Sequence, residues 1–403
     1  MSYLIFCSFE VGGLPYRMAE ILNAHGVETY YASIARPNNT HDSTQFHYGR
    51  PNVPWDLTPR FREVMWSDEK VMALLSQVQQ EFHLTRVLAT GQKAYLLRQA
   101  GLPYHYWSYG SDLDFLVNFL PTLNHCYPWW ARPKGLLVYL LRFRREASRA
   151  FANATAVMIA PYQFAAYRQV CPDKPMFFFP HFLKLSEWET LGPQKLASRR
   201  EIEAKIGASR FFFSSTRHVW SGCLRKSADT KGNDVIMYSF KEYLNLSGDQ
   251  GAKLVLVDKG PNVAASRALA QELNIAAQVV WVGEMRRDQL DQYYQGAALC
   301  FGQFGTPVLA FTALEPLAQA NVAISAFERV DPRVPFYPED PPIFKSKAPR
   351  KIAEFMAQMV AQPQQHANLC RRSWEWIKEN CSEERFAAEF VKSFSLNSGR
   401  SHG

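Results

Sequence analysis

Phe211-Phe212-Phe213-Ser214-Ser215-Thr216-Arg217-His218-Val219-Trp220 is an apolar run that breaks abruptly into polar and basic residues, as a buried strand does on reaching the end of a sheet. After a short polar insert, Lys231-Gly232-Asn233-Asp234 opens an amphipathic helical pattern that continues to Leu244. Further along, Gly283 closes the apolar run Gln278 to Val282. The loop Phe301-Gly302-Gln303-Phe304-Gly305-Thr306-Pro307 then leads to a helix that carries Glu315 near its start. Strands are expected at Arg210 to Ser215, Lys253 to Asp258, Gln278 to Val282, Ala298 to Phe301 and Val322 to Ser325. Helices are expected between them at Asn233 to Leu244, Val263 to Leu273, Arg287 to Gln295 and Thr312 to Ala320. Such alternation requires right-handed parallel crossovers, so the stretch reads as an open α/β sheet. Basic residues and one carboxylate, Glu315, fall where such a sheet binds its ligand, beyond the carboxyl ends of the strands.

The first half begins the same way. Tyr3 to Ser8 is a strand, Gly12-Gly13 a turn, Pro15 to Ala24 a helix ended by Gly26, and Val27 to Ser33 a second strand. Ala35 to Asp56 reads as a long polar loop. Helices follow at Asp68 to Glu81, Gln92 to Ala100 and Tyr162 to Val170. Strands follow at Arg86 to Thr90, Pro103 to Trp107, Thr155 to Ala160 and Pro175 to Pro180. Leu183 to Ser209 is polar and lacks a strand pattern, which suits an interdomain connection. Helices at Lys351 to Ala361, Gln365 to Lys378 and Glu383 to Phe394 end the chain. The expected organisation is therefore an N-terminal domain over 1–182, a linker over 183–209, a C-terminal domain over 210–380, and a final helix and tail over 381–403.

A chain of 403 residues exceeds what one ordinary core supports, and 47% hydrophobic with 20% charged residues describes a folded chain rather than a disordered one. No segment has the length of a membrane span, and Met1 to Ser8 lacks the basic start of a signal peptide. Seven scattered cysteines without a C-x-x-C pair read as free thiols of a reducing, cytoplasmic compartment. A net charge of +8 and a pI near 9.0 favour an anionic partner: a nucleotide-sugar, a lipid phosphate, an anionic membrane surface or nucleic acid.

Several residues could carry chemistry. Gly12-Gly13 is not a G-x-G-x-x-G fingerprint, but a glycine pair before a helix lets backbone N–H groups approach a phosphate or sugar; the alternative is a tight turn without a ligand. Arg217 and Lys231 could together neutralise a diphosphate, or be solvated loop charges. Glu315, among Phe311, Ala313, Leu314, Leu317 and Ala318, needs hydrogen-bond donors. Vicinal hydroxyls would supply them, and the alternative is a helix acid favoured by the dipole. Pro128-Trp129-Trp130, running into a leucine-rich segment that ends at Arg144-Arg145, is either an interfacial helix or a core helix with a basic end.

The ordered set Phe213 to Trp220, Lys231-Gly-Asn-Asp234, Val280-Trp-Val-Gly-Glu284, Leu290-Asp-Gln-Tyr-Tyr294 and Leu314-Glu-Pro-Leu-Ala318 resembles the group-1 (family-4-like) retaining glycosyltransferases of the GT-B fold. The similarity covers essentially the whole second half. In the first half, Gly12-Gly13 resembles the family's glycine loop, Tyr109-Gly-Ser-Asp112 its Gly-x-Asp strand end, and Ala154 to Ala160 the strand before the linker. The resemblance implies two Rossmann-like parallel-sheet domains facing across a cleft, with the C-terminal helix packing back toward the N-terminal domain.

It further implies a nucleoside diphosphate-sugar donor bound mainly by the second domain. Arg217 and Lys231 would hold the diphosphate and stabilise its departure, Glu315 the ribose hydroxyls, and the backbone from Gly283 to Met285 the base. His105, Tyr109 and Asp112 are the acceptor-side candidates, Asp112 also as a catalytic one. No cofactor and no metal is expected, because positive side chains take the metal's place. The expected activity is metal-independent transfer of a hexose-type sugar, with retention, to a hydroxyl of a glycan or lipid-linked acceptor in envelope or surface polysaccharide or glycolipid synthesis. The expected location is cytoplasmic and peripheral at the inner membrane face, with 128–145 as the membrane contact and no nucleic-acid partner. The chain departs from the family at Pro307, where the first glutamate of an E-x7-E pair would stand, and at Tyr109, where members often carry histidine. Two other readings share these residues. One is a nucleotide-sugar epimerase or hydrolase of the same fold; the other is a non-catalytic protein using its basic surface.

Overall fold

In the computed structural model the first apolar run becomes β1 (Ser2–Cys7), buried at every position. Gly13 follows in a left-handed conformation (φ 77°) and opens α1 (Leu14–Ala24), with Pro15 in its first turn. Next come β2 (Thr29–Ser33), α2 (Thr58–Val64), and α3 (Asp68–Glu81), whose start is capped by the Ser67 hydroxyl accepting from the Lys70 N–H. They are followed by β3 (Leu84–Thr90), α4 (Tyr95–Gln99), β4 (His105–Trp107), α5 (Arg144–Asn153), β5 (Ala156–Ile159), α6 (Phe164–Val170) and β6 (Met176–Phe178). The structure describes residues 2–9, 13–35, 53–108, 112–113, 116, 144–178, 181–221, 230–328 and 337–395.

These strands form one six-stranded sheet in the order β2-β1-β3-β4-β5-β6, with every pairing parallel. The chain turns outward from β1 in both directions, so the topological switch lies between β1 and β3. Gly91, just past β3, has φ 90°, and a Cβ there would lie 2.3 Å from Ser8 Oγ. Only glycine lets the ends of β1 and β3 meet, and the Ser8 N–H donates to the Thr90 carbonyl across that junction at 2.9 Å.

The second sheet is built from β7 (Arg210–Ser214), β8 (Ala252–Val257), β9 (Val279–Val282), β10 (Cys300–Phe301), β11 (Ala323–Ser325) and β12 (Phe344–Lys345). Its helices are α7 (Trp188–Ile206), α8 (Asn233–Ser247), α9 (Val263–Glu272), α10 (Arg287–Gly296), α11 (Phe311–Ala318), α12 (Pro349–Ala361) and α13 (Pro363–Cys381). The strand order is β12-β11-β10-β7-β8-β9, all parallel, a doubly wound order with its switch between β7 and β10. The side chains of Phe212, Leu254 and Leu256 point to one face, with Ile236, Phe240 and Met356. Phe211, Phe213 and Val255 point to the other, with Tyr293 and Tyr294.

Two units result: Met1–Pro180 with Glu383–Gly403, and His181–Ser382. The last helix, α14 (Glu383–Ser395), thus belongs to the first unit. Its Phe390 and Phe394 pack on Tyr3 of β1 with ring centroids 5.5 and 5.4 Å apart. Phe394 also stacks flat on His105 of β4 at 4.2 Å, and the Arg17 guanidinium pairs with Glu383 at 2.5 Å. The segment read as an interdomain connection is largely α7, packed against α10 in the second unit. Its charge-rich sequence hides a single buried face of Leu191, Ser198 and Ile202. β12, α2 and α5 also had no counterpart in the sequence reading. Among the described residues no helix is long and apolar enough to cross a membrane, and Cys7, Cys171, Cys300, Cys370 and Cys381 are buried free thiols.

Phe394 is 1% exposed, so Phe394→Ala should lower the unfolding free energy by about 3–5 kcal/mol, read as a shifted denaturation midpoint. An unchanged midpoint would show that α14 adds nothing to the first unit.

Candidate active site at the switch point of the second sheet

β7 and β10 part company at their carboxyl ends, and polar side chains hold the opening. Ser214 Oγ donates to the Phe301 carbonyl and Thr216 Oγ1 to the Gly302 carbonyl, each at 3.2 Å. Asn233, the first residue of α8, donates from Nδ2 to the Thr216 carbonyl at 3.1 Å and accepts on Oδ1 from the Val219 N–H at 3.2 Å. The Lys231 backbone lies between two neighbours: its N–H donates to the Val219 carbonyl at 2.6 Å, and its carbonyl accepts from the Phe304 N–H at 2.8 Å. The two backbones touch here. A Cβ on Gly305 would lie 1.9 Å from the Thr230 carbonyl oxygen, and one on Gly232 would lie 2.9 Å from the Gly305 nitrogen. Gly232 also has φ 69° and precedes α8 without offering a side-chain cap. Lys231 is therefore held at the N-terminus of a helix beside the switch point.

Arg217 is half-buried, has no carboxylate partner among the described residues, and lies in a loop pinned on both sides. The His218 N–H donates to the Lys259 carbonyl at 2.7 Å, and the Trp220 N–H to Asn262 Oδ1 at 2.8 Å. Ser266 Oγ meets both His218 Nδ1 and Trp220 Nε1 at 2.7 Å. Burial pushes the His218 imidazole down to about 4, against the opposing pull of Asp258, so it is neutral at pH 7. α11 likewise begins without a side-chain cap, at Ala310, and the hydroxyls of Thr230 and Thr312 are buried without a hydrogen-bond partner among the described residues.

Glu315 sits on α11 with its side chain 13% exposed. Arg287 of α10 pairs with Oε1, and the Tyr294 hydroxyl donates to Oε2 at 2.7 Å. Tyr294 OH also meets Ser215 Oγ, at the end of β7, at 2.6 Å. On its other side the Arg287 guanidinium pairs through Nε with Asp291 Oδ1 at 3.0 Å. Burial pushes Asp291 up to about 6 despite Arg287, while burial and the neighbouring Glu315 carboxylate keep the Tyr294 phenol protonated. Sequence alone assigns Arg287 no site role, nor Asp291 and Tyr294 one beyond their place in the motif Leu290-Asp-Gln-Tyr-Tyr294; an i,i+4 pair before a double tyrosine is the available signal. Gly283 and Met285 lie past β9 and line a cavity of about 400 Å³ with Lys205, Gln289, Gln292 and Tyr293. A Cβ on Gly283 would meet open space.

In the first unit Gly13 stands at the left-handed turn into α1, while Gly12 and Tyr109 lie outside the described residues. Asp112 is 0% exposed: Oδ2 accepts from the Tyr106 hydroxyl at 2.9 Å and Oδ1 from the Ser108 hydroxyl at 2.8 Å. Gln163 joins this network through Ser108 at 2.6 Å. His105 is 6% exposed, stacked between Phe177 and Phe394, and burial pushes it down to about 4. Of the stretch 128–145, only Arg144 and Arg145 are described, both exposed at the start of α5. Among the described residues no three His, Cys, Asp or Glu side chains gather closely enough to hold a metal ion.

No protein-family model and no curated protein matches this chain. Solved structures do. Anabaena HepE in complex with UDP-glucose matches with a TM-score of 0.62 at 12% identity, over 98% of this chain and 100% of that one. Sucrose-phosphate synthase from Thermosynechococcus elongatus matches at 0.60 and 14%, over the whole of both chains. WaaG, a glycosyltransferase involved in lipopolysaccharide biosynthesis, matches at 0.54 and 15%, over 96% and 98%. The fold is that of the GT-B glycosyltransferases: α/β, with two six-stranded parallel sheets.

Three buried histidines give a pH dependence. His105, His181 and His218 are each shifted from 6.5 to about 4, chiefly by burial. The unfolded chain takes up these protons near 6.5 and the folded chain only near 4. Their stabilising share is therefore complete above about pH 6.5 and is lost progressively as the pH falls toward 4. At pH 5 the loss is about 2 kcal/mol per histidine, so the melting temperature should drop steeply between pH 7 and pH 5. A flat profile would mean that these imidazoles are charged in the folded chain.

Proposed function

We propose that the chain is a glycosyltransferase that moves a sugar from a nucleoside diphosphate-sugar to a hydroxyl of a glycan or lipid-linked acceptor. The observation that carries this reading is Lys231, fixed by main-chain bonds at the uncapped start of α8, with Arg217, which has no carboxylate partner among the described residues, in the loop after β7 at the switch point of a doubly wound sheet. Two cations and a helix N-terminus suit a diphosphate, and they stabilise the charge that develops as it leaves. HepE, whose fold this chain shares, binds UDP and UDP-glucose.

In the proposed site Arg217 and Lys231 hold the diphosphate and Glu315 the ribose hydroxyls, while the base lies against the backbone from Gly283 to Met285, beside the cavity. No metal is needed, because the cations are supplied by side chains. Gly12 and Gly13 are the donor-binding candidates of the first unit. His105, Tyr109 and Asp112 are the acceptor-side candidates. The burial of Asp112 and His105 suits them to holding the end of β4 rather than touching substrate, so the catalytic burden falls on Arg217 and Lys231. The family resemblance supports retention of configuration and a role in envelope or surface polysaccharide or glycolipid synthesis. Exposed Arg144 and Arg145 support a peripheral contact with an anionic membrane surface at its cytoplasmic face.

A thermal-shift screen against UDP, GDP, ADP, CMP and their sugars should show a rise in melting temperature with at least one of them. Silence toward all would overturn the donor site. Lys231→Ala should weaken nucleoside diphosphate binding by about tenfold or more and leave the corresponding nucleoside nearly unaffected. Equal losses for both would remove Lys231 from the phosphate site.

A further inference from the structure

Glu315 is not an idle acceptor. One oxygen is paired with Arg287 and the other accepts from Tyr294, which is itself tied to Ser215 at the end of β7. A carboxylate in this state has its strongest donors already in place, and an incoming diol would compete with a guanidinium. The same guanidinium, however, already touches a second carboxylate: Arg287 Nε lies 3.0 Å from Asp291 Oδ1, one turn along α10. Arg287 thus stands between two acids on different helices. Its side chain is 25% exposed, Asp291 27% and Glu315 13%, so the exchange takes place in a partly dry environment where an unpaired charge is costly.

We propose that Arg287 is a movable counter-ion, which passes from Glu315 to Asp291 when a ribose with vicinal hydroxyls binds, so that Asp291 positions the diol-binding carboxylate without touching the ligand. This rests on the proposed nucleotide-sugar donor and specifies how its ribose is read. Arg287 keeps a carboxylate partner in both states, and Glu315 exchanges one donor for another. Tyr294 stays on Glu315 throughout and fixes its orientation from Ser215. Burial holds the Asp291 carboxyl at about 6, so its charge is readily reinforced as the guanidinium closes on it.

The test compares UDP with 2′-deoxy-UDP by calorimetry, with ADP and GDP and their 2′-deoxy forms alongside. The wild-type chain should prefer the ribose form by about tenfold. Asp291→Asn removes the alternative partner, leaves Arg287 on Glu315, and should abolish most of that preference while binding of the deoxy form changes little. Asp291→Glu should restore it. In a second route, Arg287→Gln combined with Asp291→Asn should also regain the preference, because Glu315 is then released. A ribose preference unchanged in Asp291→Asn, or equal weakening of both forms, overturns the proposal alone. Failure of the wild-type chain to bind any of these nucleotides overturns it together with the donor reading.

Discussion

The second unit depends on one steric constraint, the contact between the backbone at Thr230 to Gly232 and that at Phe304 to Gly305. A doubly wound sheet returns the chain from its outer strand β9 to β10, beside β7 where it began. The loops after β7 and β10 must then pass each other at the same end of the sheet. They do so without side chains at 232 and 305, since any Cβ there would meet backbone at 2.9 Å or closer. The contact fixes Lys231 through main-chain bonds on both sides, so its position does not depend on the rotamer of any neighbour. It also brings Asn233 within reach of Thr216 and Val219, which anchors the loop that carries Arg217. Charge placement at this site is a consequence of chain crossing.

Both sheets carry polar side-chain networks at their strand ends, buried in the first unit and partly buried in the second. In the first unit Asp112, Tyr106, Ser108 and Gln163 join the ends of β4 and β5, with Gln163 Oε1 accepting from the Ala160 N–H at 2.8 Å. In the second, Ser215, Tyr294, Glu315, Arg287 and Asp291 link β7, α10 and α11. Loops leaving a parallel sheet carry main-chain groups that helices no longer satisfy, and polar side chains answer them in fixed directions. Such networks hold geometry at the end of the sheet where a ligand must be aligned, and they are expensive to break singly.

Parallel strands buried on both faces are continuous apolar runs, which is why β1, β7 and β8 could be read from sequence to within a residue or two. β12 has two residues and no such run. α7 went unread because a helix that buries only Leu191, Ser198 and Ile202 can be charged almost everywhere else. The site divides in the same way. Arg217, Lys231 and Gly232 stand out because a strand end meets a helix start there, whereas Arg287 and Asp291 look like any solvated i,i+4 pair until Glu315 is brought to them by the fold. A sequence places Asp112 at the end of a strand. It does not say that Tyr106 and Ser108, pointing to the same face by alternation, turn its carboxylate inward.

The substitution at Pro307 bears on how binding is distributed within the proposed donor site. Gly232 and Ala310 leave α8 and α11 without side-chain caps, so two helix starts bring backbone donors toward the same opening. The cations Lys231 and Arg217 add to that field, and none of these four elements involves position 307. A diphosphate held by backbone dipoles and fixed cations keeps its orientation whatever contacts the sugar, and the leaving-group charge is the term that most needs stabilisation. In the proposed donor site, the absence of a carboxylate at 307 would therefore bear on discrimination among sugars far more than on departure of the diphosphate. By the same reasoning, register along the proposed donor site would depend on its other end, where Glu315, the proposed ribose ligand, is oriented by Tyr294 and balanced by Arg287.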